Sequence, residues 1–418
     1  MDAIKDNFIS FLRWSEKYTK TDMVYLTTGT WWLGISQIAS SVIAFSLTII
    51  LANLLSPEVF GEYRFLMSGI LILSIFSLPG IKIALLESTP KGFVNNLRIA
   101  FKEAVKWSIL GSFVSIIISI YYYLVGDNSL AISFAIIAIL LPLFETSTLY
   151  IDYLKSLKQF KSVAIYNLIT KGLLLPSVIA VSLIFPQFSW IIFTIFLLGN
   201  ILPNLFFHKR VLKKYTSETG RTDPNLINYS KHITAIAFLT MLSSQFDKIF
   251  IWNNLGPESL AIFYIAYAIP QEMNRFFEII QTLAFPKFAK KDISILKKTL
   301  PPKLIKYFIL TLFLVVIYIM AAPYIFKFLF PTYIEAIKYS QILALGTLST
   351  SLSPILTYFI VNKMTRILYI TSIIIPTVRI LSTIILILFF GLWGAVYAIL
   401  IEGIVKIICL IYFFNKAS

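Results

Sequence analysis

Long apolar stretches alternate with short polar breaks along almost the whole chain. The breaks predict helices near residues 24–53, 62–87, 104–125, 129–152, 163–184 and 190–207. A second set follows near 231–253, 258–284, 304–328, 334–361, 366–390 and 392–414. A bilayer core of about 30 Å takes roughly 20 apolar residues per helical crossing, so each stretch is long enough to span it. The pattern predicts an all-α polytopic membrane protein with about 12 transmembrane helices.

Composition narrows the class further. Of 418 residues, 58% are hydrophobic and 13% charged, against about 25% charged in an ordinary soluble domain. A soluble enzyme, a disordered chain and a secreted disulfide scaffold are excluded. The single cysteine, Cys409, lies in an apolar run, and His208 and His232 flank one polar segment. Neither supplies a metal-ligand set, and no metal or cofactor is expected. No Gly-x-x-x-x-Gly-Lys sequence occurs, so this chain is not expected to consume ATP.

The net charge of +16 changes the picture through its distribution. Basic residues come in small clusters between apolar runs, not as one face of a folded domain, which argues against nucleic acid as a partner. Lys155, Lys158 and Lys161 form one cluster, Lys209, Arg210, Lys213 and Lys214 another, and Lys287, Lys290, Lys291, Lys297 and Lys298 a third. The alternate connections at 126–128, 186–188 and 391–394 contain no lysine or arginine. By the positive-inside rule both termini are cytoplasmic. Residues 1–22 are too charged for a cleavable signal core. Within them Ile4, Phe8, Phe11 and Leu12 recur at helical spacing opposite Lys5, Asp6, Arg13 and Lys17, which suits a short helix lying on the cytoplasmic surface. A frayed tail is the alternative.

Asn53-Leu54-Leu55-Ser56-Pro57-Glu58 recurs as Asn253-Asn254-Leu255-Gly256-Pro257-Glu258, each copy closing the first helix of a six-helix set. Six spans per set give both halves the same orientation, a parallel repeat about an axis along the membrane normal. The predicted organisation is a cytoplasmic segment 1–22, a first bundle 23–208, a cytoplasmic linker 209–229 and a second bundle 230–418.

An ionisable residue inside a span is costly unless paired or solvated, which makes each one a functional candidate. In the eighth helix Gln271, Asn274, Arg275, Glu278, Gln281 and Thr282 form one stripe at 3.6-residue periodicity. It is either a cavity wall with Arg275 on the cargo or a packed seam in which Arg275 and Glu278 neutralise each other. Gln37 in the first helix, and Arg64 and Lys82 in the second, are further cavity candidates; snorkelling to headgroups is the alternative for the two cations. Asp247, among Ser243, Ser244 and Gln245, is a candidate for a coupling ion, or else a partner of Lys248. Arg379 and Glu402 lie at the same depth on consecutive helices and are expected to pair, as are Glu145 and Lys171.

Two parallel six-helix halves, with Leu55-Ser56-Pro57-Glu58-Val59-Phe60-Gly61-Glu62-Tyr63 after the first helix, resemble the polysaccharide transport proteins. These include the O-antigen and related lipid-linked oligosaccharide flippases of the multidrug/oligosaccharidyl-lipid/polysaccharide exporter superfamily. Asp247-Lys248-Ile249-Phe250 through Leu255-Gly256-Pro257-Glu258, and Phe330-Pro331-Thr332-Tyr333, are similar to that family as well. The resemblance implies a V-shaped pair of bundles that carries a polyprenyl-linked glycan across a cytoplasmic membrane by alternating access. It also implies a monomer surrounded by membrane lipid and working beside polymerase or transferase machinery. A drug or cation antiporter of the same superfamily is the alternative, but it would want carboxylates dominating the cavity. A membrane glycosyltransferase or polymerase would want a large outer loop, and the outer connections here are short.

Overall fold

The computed structural model describes residues 23–216, 220–288, 293–362 and 364–416, with side chains outside 23–30 and 278–298. The expected surface helix within 1–22 lies outside the described residues. The elements among those described are all helices, without a strand.

Helix α1 runs Met23–Leu54. Helix α2, Pro57–Leu73, starts where Pro57 presets the first turn and the Ser56 hydroxyl accepts from the Val59 N–H. It tightens into a 3₁₀ turn at Ser74–Ser77, reverses at Leu78 (φ 56°) and resumes as α3, Ile81–Ser88. Helix α4, Asn96–Val125, ends on Gly126, and Asp127 caps α5, Asn128–Phe144, by accepting from the Leu130 N–H at 3.0 Å. A 3₁₀ turn at Thr146–Thr148 separates α5 from α6, Leu149–Ser156. Helices α7, Phe160–Ile184, and α8, Ser189–Tyr215, complete the first set.

Helix α9, Leu226–Phe288, bends at Gly256, whose φ of 84° is open to glycine at little cost. Its arms, 226–255 and 257–288, correspond to the seventh and eighth predicted spans. Helix α10 is Ile293–Leu329. Helices α11, Ala336–Gly346, and α12, Ser353–Val361, are separated by a 3₁₀ segment at Thr347–Leu352. Helices α13, Thr365–Phe390, and α14, Leu392–Lys416, close the chain. Ten helical segments among the described residues are long and apolar enough to cross a membrane. The arms of α9 are not among these ten, because they carry the polar groups of the interior described below.

Three predicted spans are thus broken in the middle. At two of the breaks hydroxyl side chains return to the carbonyls that a tightened turn leaves exposed. Thr347, Ser349, Thr350 and Ser351 bond the carbonyls of Ala344, Gly346, Thr347 and Leu348 at 2.6–2.9 Å. Ser147 and Thr148 do the same at the α5–α6 break. A spanning segment with bare carbonyls facing lipid would lose several kcal/mol per group, so the breaks need this internal supply.

The outer surface is apolar. Along α4, Ile109, Phe113, Ile117 and Leu124 are exposed, and along α10 Ile309, Phe313, Met320 and Phe328. Such continuous patches suit a hydrocarbon environment. Inside, one buried cluster joins elements from both ends of the chain: Leu51, Tyr63 and Phe193 with Ile251, Phe263, Phe326 and Ala395.

The seam between α2 and the second arm of α9 is the closest approach. A Cβ added at Gly61 would fall 2.0 Å from the Pro257 carbonyl oxygen. Phe60 meets Tyr264 of the second arm edge-on at 6.0 Å, and Phe65 stacks on Trp252 at the end of the first arm with ring centroids 4.4 Å apart. At the far end of this pairing the Gly80 N–H donates to Thr234 Oγ1 of the first arm at 2.9 Å. The α2–α3 unit is therefore held against α9 at both ends.

Gly61→Ala must push α2 off Pro257, at an overpacking cost of about 1–3 kcal/mol. Gly34→Ala, with nothing within 4 Å of the new carbon, is the control. Thermal unfolding in detergent, followed by tryptophan fluorescence, should show a lower melting temperature for the first variant and none for the second.

Candidate functional site: a cationic cavity between the two halves

A cavity of ≈190 Å³ lies between α1, α2, α7, α8 and the second arm of α9. Its charged lining among the described residues is Arg64, Lys171, Arg275 and Glu272, three cations against one carboxylate. The rest is mostly aliphatic and aromatic, with Thr48, Tyr63, Tyr264 and Gln271 adding polar atoms.

Arg64 is the most deeply held of the cations, 7% exposed. One face of its guanidinium lies over the Tyr264 ring, 3.8 Å from the centroid, with Phe60 at 4.8 Å and Tyr63 at 5.3 Å. Nη1 donates to the Tyr264 hydroxyl at 2.8 Å and Nη2 to Thr48 Oγ1 at 3.0 Å, while Nε is buried with no partner. Among the described residues no carboxylate joins it in an ion pair. Ring faces and neutral oxygens offset part of the desolvation cost of a buried cation, but an anion would offset more.

Lys171, from α7, points its ammonium at Asn200 Oδ1, 3.2 Å away. Asn200 is oriented by its own amide, which donates to the Phe196 carbonyl at 2.8 Å and leaves the oxygen free for the lysine. Arg275 pairs with Glu272 one turn earlier on the same helix. Tyr264, Ala268, Gln271 and Arg275 follow one another at spacings of three and four, so one face of the second arm forms the wall.

The predicted candidates separate accordingly. Arg64, Gln271 and Arg275 are brought together in the cavity. Gln37 is not: it is exposed, because the inner side of α1 at that level belongs to Ser36 and Ser40, which accept from Asn167 Nδ2 of α7 at 3.4 and 3.1 Å. Asn274 points elsewhere, its amide oxygen buried without a partner. Arg275 pairs with Glu272, and the side chain of Glu278, its expected partner, lies outside the described residues. Lys82 is tied to Glu145 at 2.5 Å. The expected Glu145–Lys171 pair is thereby replaced, and Lys171, read as structural, instead lines the cavity. Four polar lining residues, Thr48, Tyr63, Tyr264 and Glu272, escaped the sequence reading. Glu272 sits one position off the stripe, whereas Tyr264 continues it towards the N-terminus and stands at the repeat position equivalent to Arg64, 200 residues away.

A second charged centre joins the first arm of α9 to α13 and α14. Arg379 Nη2 lies 2.8 Å from Asp247 Oδ2 and its Nη1 lies 2.9 Å from Glu402 Oε2. The Asp247 carboxylate, considered for a coupling ion, already holds an internal cation. Lys248, considered as its partner, turns its ammonium to Gln245 Oε1 and the Ser244 carbonyl at 2.9 and 3.0 Å.

This helix order, with a polar interior between two sets of spans, is a fold found in several solved multi-pass membrane transporters. The structure is similar to an inward closed conformation of the lipid II flippase MurJ, with a TM-score of 0.68 at 18% identity over 92% of this chain and 87% of that one. It is also similar to an outward-facing multidrug resistance MATE family transporter, with a TM-score of 0.62 at 14% identity over 93% and 95% of the two chains. A third similar structure is a MOP superfamily transporter from Pyrococcus furiosus described as having a binding pocket of reverse polarity, with a TM-score of 0.58 at 12% identity over 94% and 95%. No curated protein sequence matches significantly. The family model for polysaccharide biosynthesis proteins matches residues 26–292, well over half of the chain, and the chain belongs to that family.

Removing one member of the Asp247–Arg379–Glu402 centre strands buried charge, at about 3–5 kcal/mol. Arg379→Leu should therefore collapse the monodisperse peak in fluorescence-detected size exclusion. Adding Asp247→Asn and Glu402→Gln to it should recover much of that peak. Glu402→Gln alone should be milder than Asp247→Asn, since the Glu402 side chain is 23% exposed and that of Asp247 only 1%.

Proposed function

We propose that this protein is an alternating-access flippase that moves a polyprenyl-phosphate- or diphosphate-linked oligosaccharide from the inner to the outer leaflet. One observation carries this reading. Arg64, a buried guanidinium with no carboxylate partner among the described residues, faces a cavity where Lys171 and Arg275 add charge of the same sign and, among those residues, Glu272 alone opposes them. A low-dielectric pocket with surplus positive charge favours an anionic cargo. A guanidinium fork can grip two phosphate oxygens at once. A cation exporter would reverse that balance. The glycan is suggested by the family, whose description concerns polysaccharide biosynthesis.

The two-half organisation supports alternating access. Arg64 and Tyr264, equivalent positions of the two repeats, meet across the interface. The fourth predicted span of each half breaks at its middle, at Thr146–Thr148 and Thr347–Leu352. In this reading both termini are cytoplasmic and the Gly61–Pro257 contact closes the outer side. Polymerase or transferase machinery would receive the delivered glycan.

Reconstituted vesicles holding a fluorescent lipid-diphosphate oligosaccharide, without ATP, should show protein-dependent transfer between leaflets. Charge-assisted hydrogen bonds contribute about 1.5–3 kcal/mol each, so Arg64→Ala or Arg275→Ala should slow transfer roughly 10- to 100-fold. Uptake of a cationic dye with no lipid transfer would move the protein to the drug-exporter branch. In a Cys409→Ser background, Asn128→Cys should react with an impermeant thiol reagent added outside and Gln159→Cys should not. The opposite labelling would invert the orientation.

A further inference from the structure

The Arg64–Tyr264 contact has two properties that seldom coincide: it lines the cavity, and it ties one half of the molecule to the other. The guanidinium bonds α1 through Thr48 and the second arm of α9 through Tyr264 while belonging to α2 itself. Immediately beyond it Phe60 rests on Tyr264, Gly61 on Pro257, and the side chains of Glu58 and Glu258 meet. The seam is thus continuous from the cavity to the end of the bundle.

We propose that Tyr264 is a positioning residue that couples cargo binding to opening of this seam. Its ring and hydroxyl hold Arg64 in the closed state, and a phosphate in the cavity draws Arg64 away and loosens the seam. The inference rests on the reading of the cargo as an anionic phosphate lipid. Its physical basis is competition for one guanidinium. A phenol oxygen is a neutral acceptor, whereas a phosphate oxygen makes a charge-assisted bond about twice as strong. Nη1 is directed to the Tyr264 hydroxyl and Nη2 to Thr48 Oγ1, and Nε is shut in, so a two-pronged grip on phosphate competes with the bond to Tyr264. Cargo then binds the state with that bond broken better than the state with it made, and that difference is what shifts a two-state equilibrium. An unloaded carrier stays latched and does not open idly.

The test uses the full chain with Cys409→Ser and a cysteine pair, Glu58→Cys with Glu258→Cys, as a reporter of seam closure. Disulfide formation is timed with and without undecaprenyl diphosphate, and with undecaprenol as the uncharged control. The diphosphate should slow cross-linking about tenfold, equivalent to about 1.4 kcal/mol, and the alcohol should not. Tyr264→Phe, which keeps the ring and loses the hydroxyl, should cross-link more slowly without lipid and respond less to it. Arg64→Ala should abolish the response. Binding of the same lipid is followed in parallel by tryptophan quenching. Arg64-dependent binding with unchanged cross-linking would overturn the latch and leave the flippase reading intact. No binding of the diphosphate lipid at all would overturn both.

Discussion

A guanidinium removed from water must be met by something, and what meets Arg64 organises the centre of this molecule. Its partners are ring faces and neutral oxygens contributed by three helices. That choice requires Tyr264 and α2 to be close, which in turn requires the glycine at position 61 where the backbones touch. Arg379 shows the other solution. Held between Asp247 and Glu402, it is neutralised by residues of its own half. The same side chain therefore serves as a finished internal joint in one place and as an unsatisfied centre in another, and only the partner set distinguishes the two roles.

How much of this could be read from the chain depended on the kind of information involved. Apolar runs gave the spans, because hydrocarbon demands length and hydropathy and little else. The breaks at Glu145 and Thr347 were not legible. A 3₁₀ turn keeps apolar side chains nearly in phase, and hydroxyls in a span can serve packing as well as a bend. Ionisable residues in spans flagged Arg64 and Arg275, since such residues need a reason to be there. Their pairing was harder. Counting residues from a turn fixes a side chain's depth but not the direction it faces. Glu145 is at a suitable depth for Lys171, yet the structure turns it to Lys82. Gln37 failed likewise, with neighbouring Ser36 taking the inward direction.

The fold alone carries no information about cargo, because similar frames occur in a lipid II flippase and in multidrug transporters. The charge within the frame is what differs in principle between an anionic and a cationic passenger. Among the described residues that charge is set by four side chains on three helices. A family model that ends at residue 292 covers three of those helices, α2, α7 and the second arm of α9. It stops short of the helices that carry Arg379 and Glu402.

The hydroxyl-rich breaks in the fourth span of each half bear on how such a protein can flex in an oily solvent. A helix bent in water can borrow solvent for its uncovered carbonyls; in hydrocarbon there is none to borrow. Thr347, Ser349, Thr350 and Ser351 carry that solvation with them, one oxygen or more per loosened carbonyl. The bend is thus hydrated by its own side chains. It can change angle without first waiting for a water molecule to arrive, so motion at these joints is decoupled from the wetting of the interior.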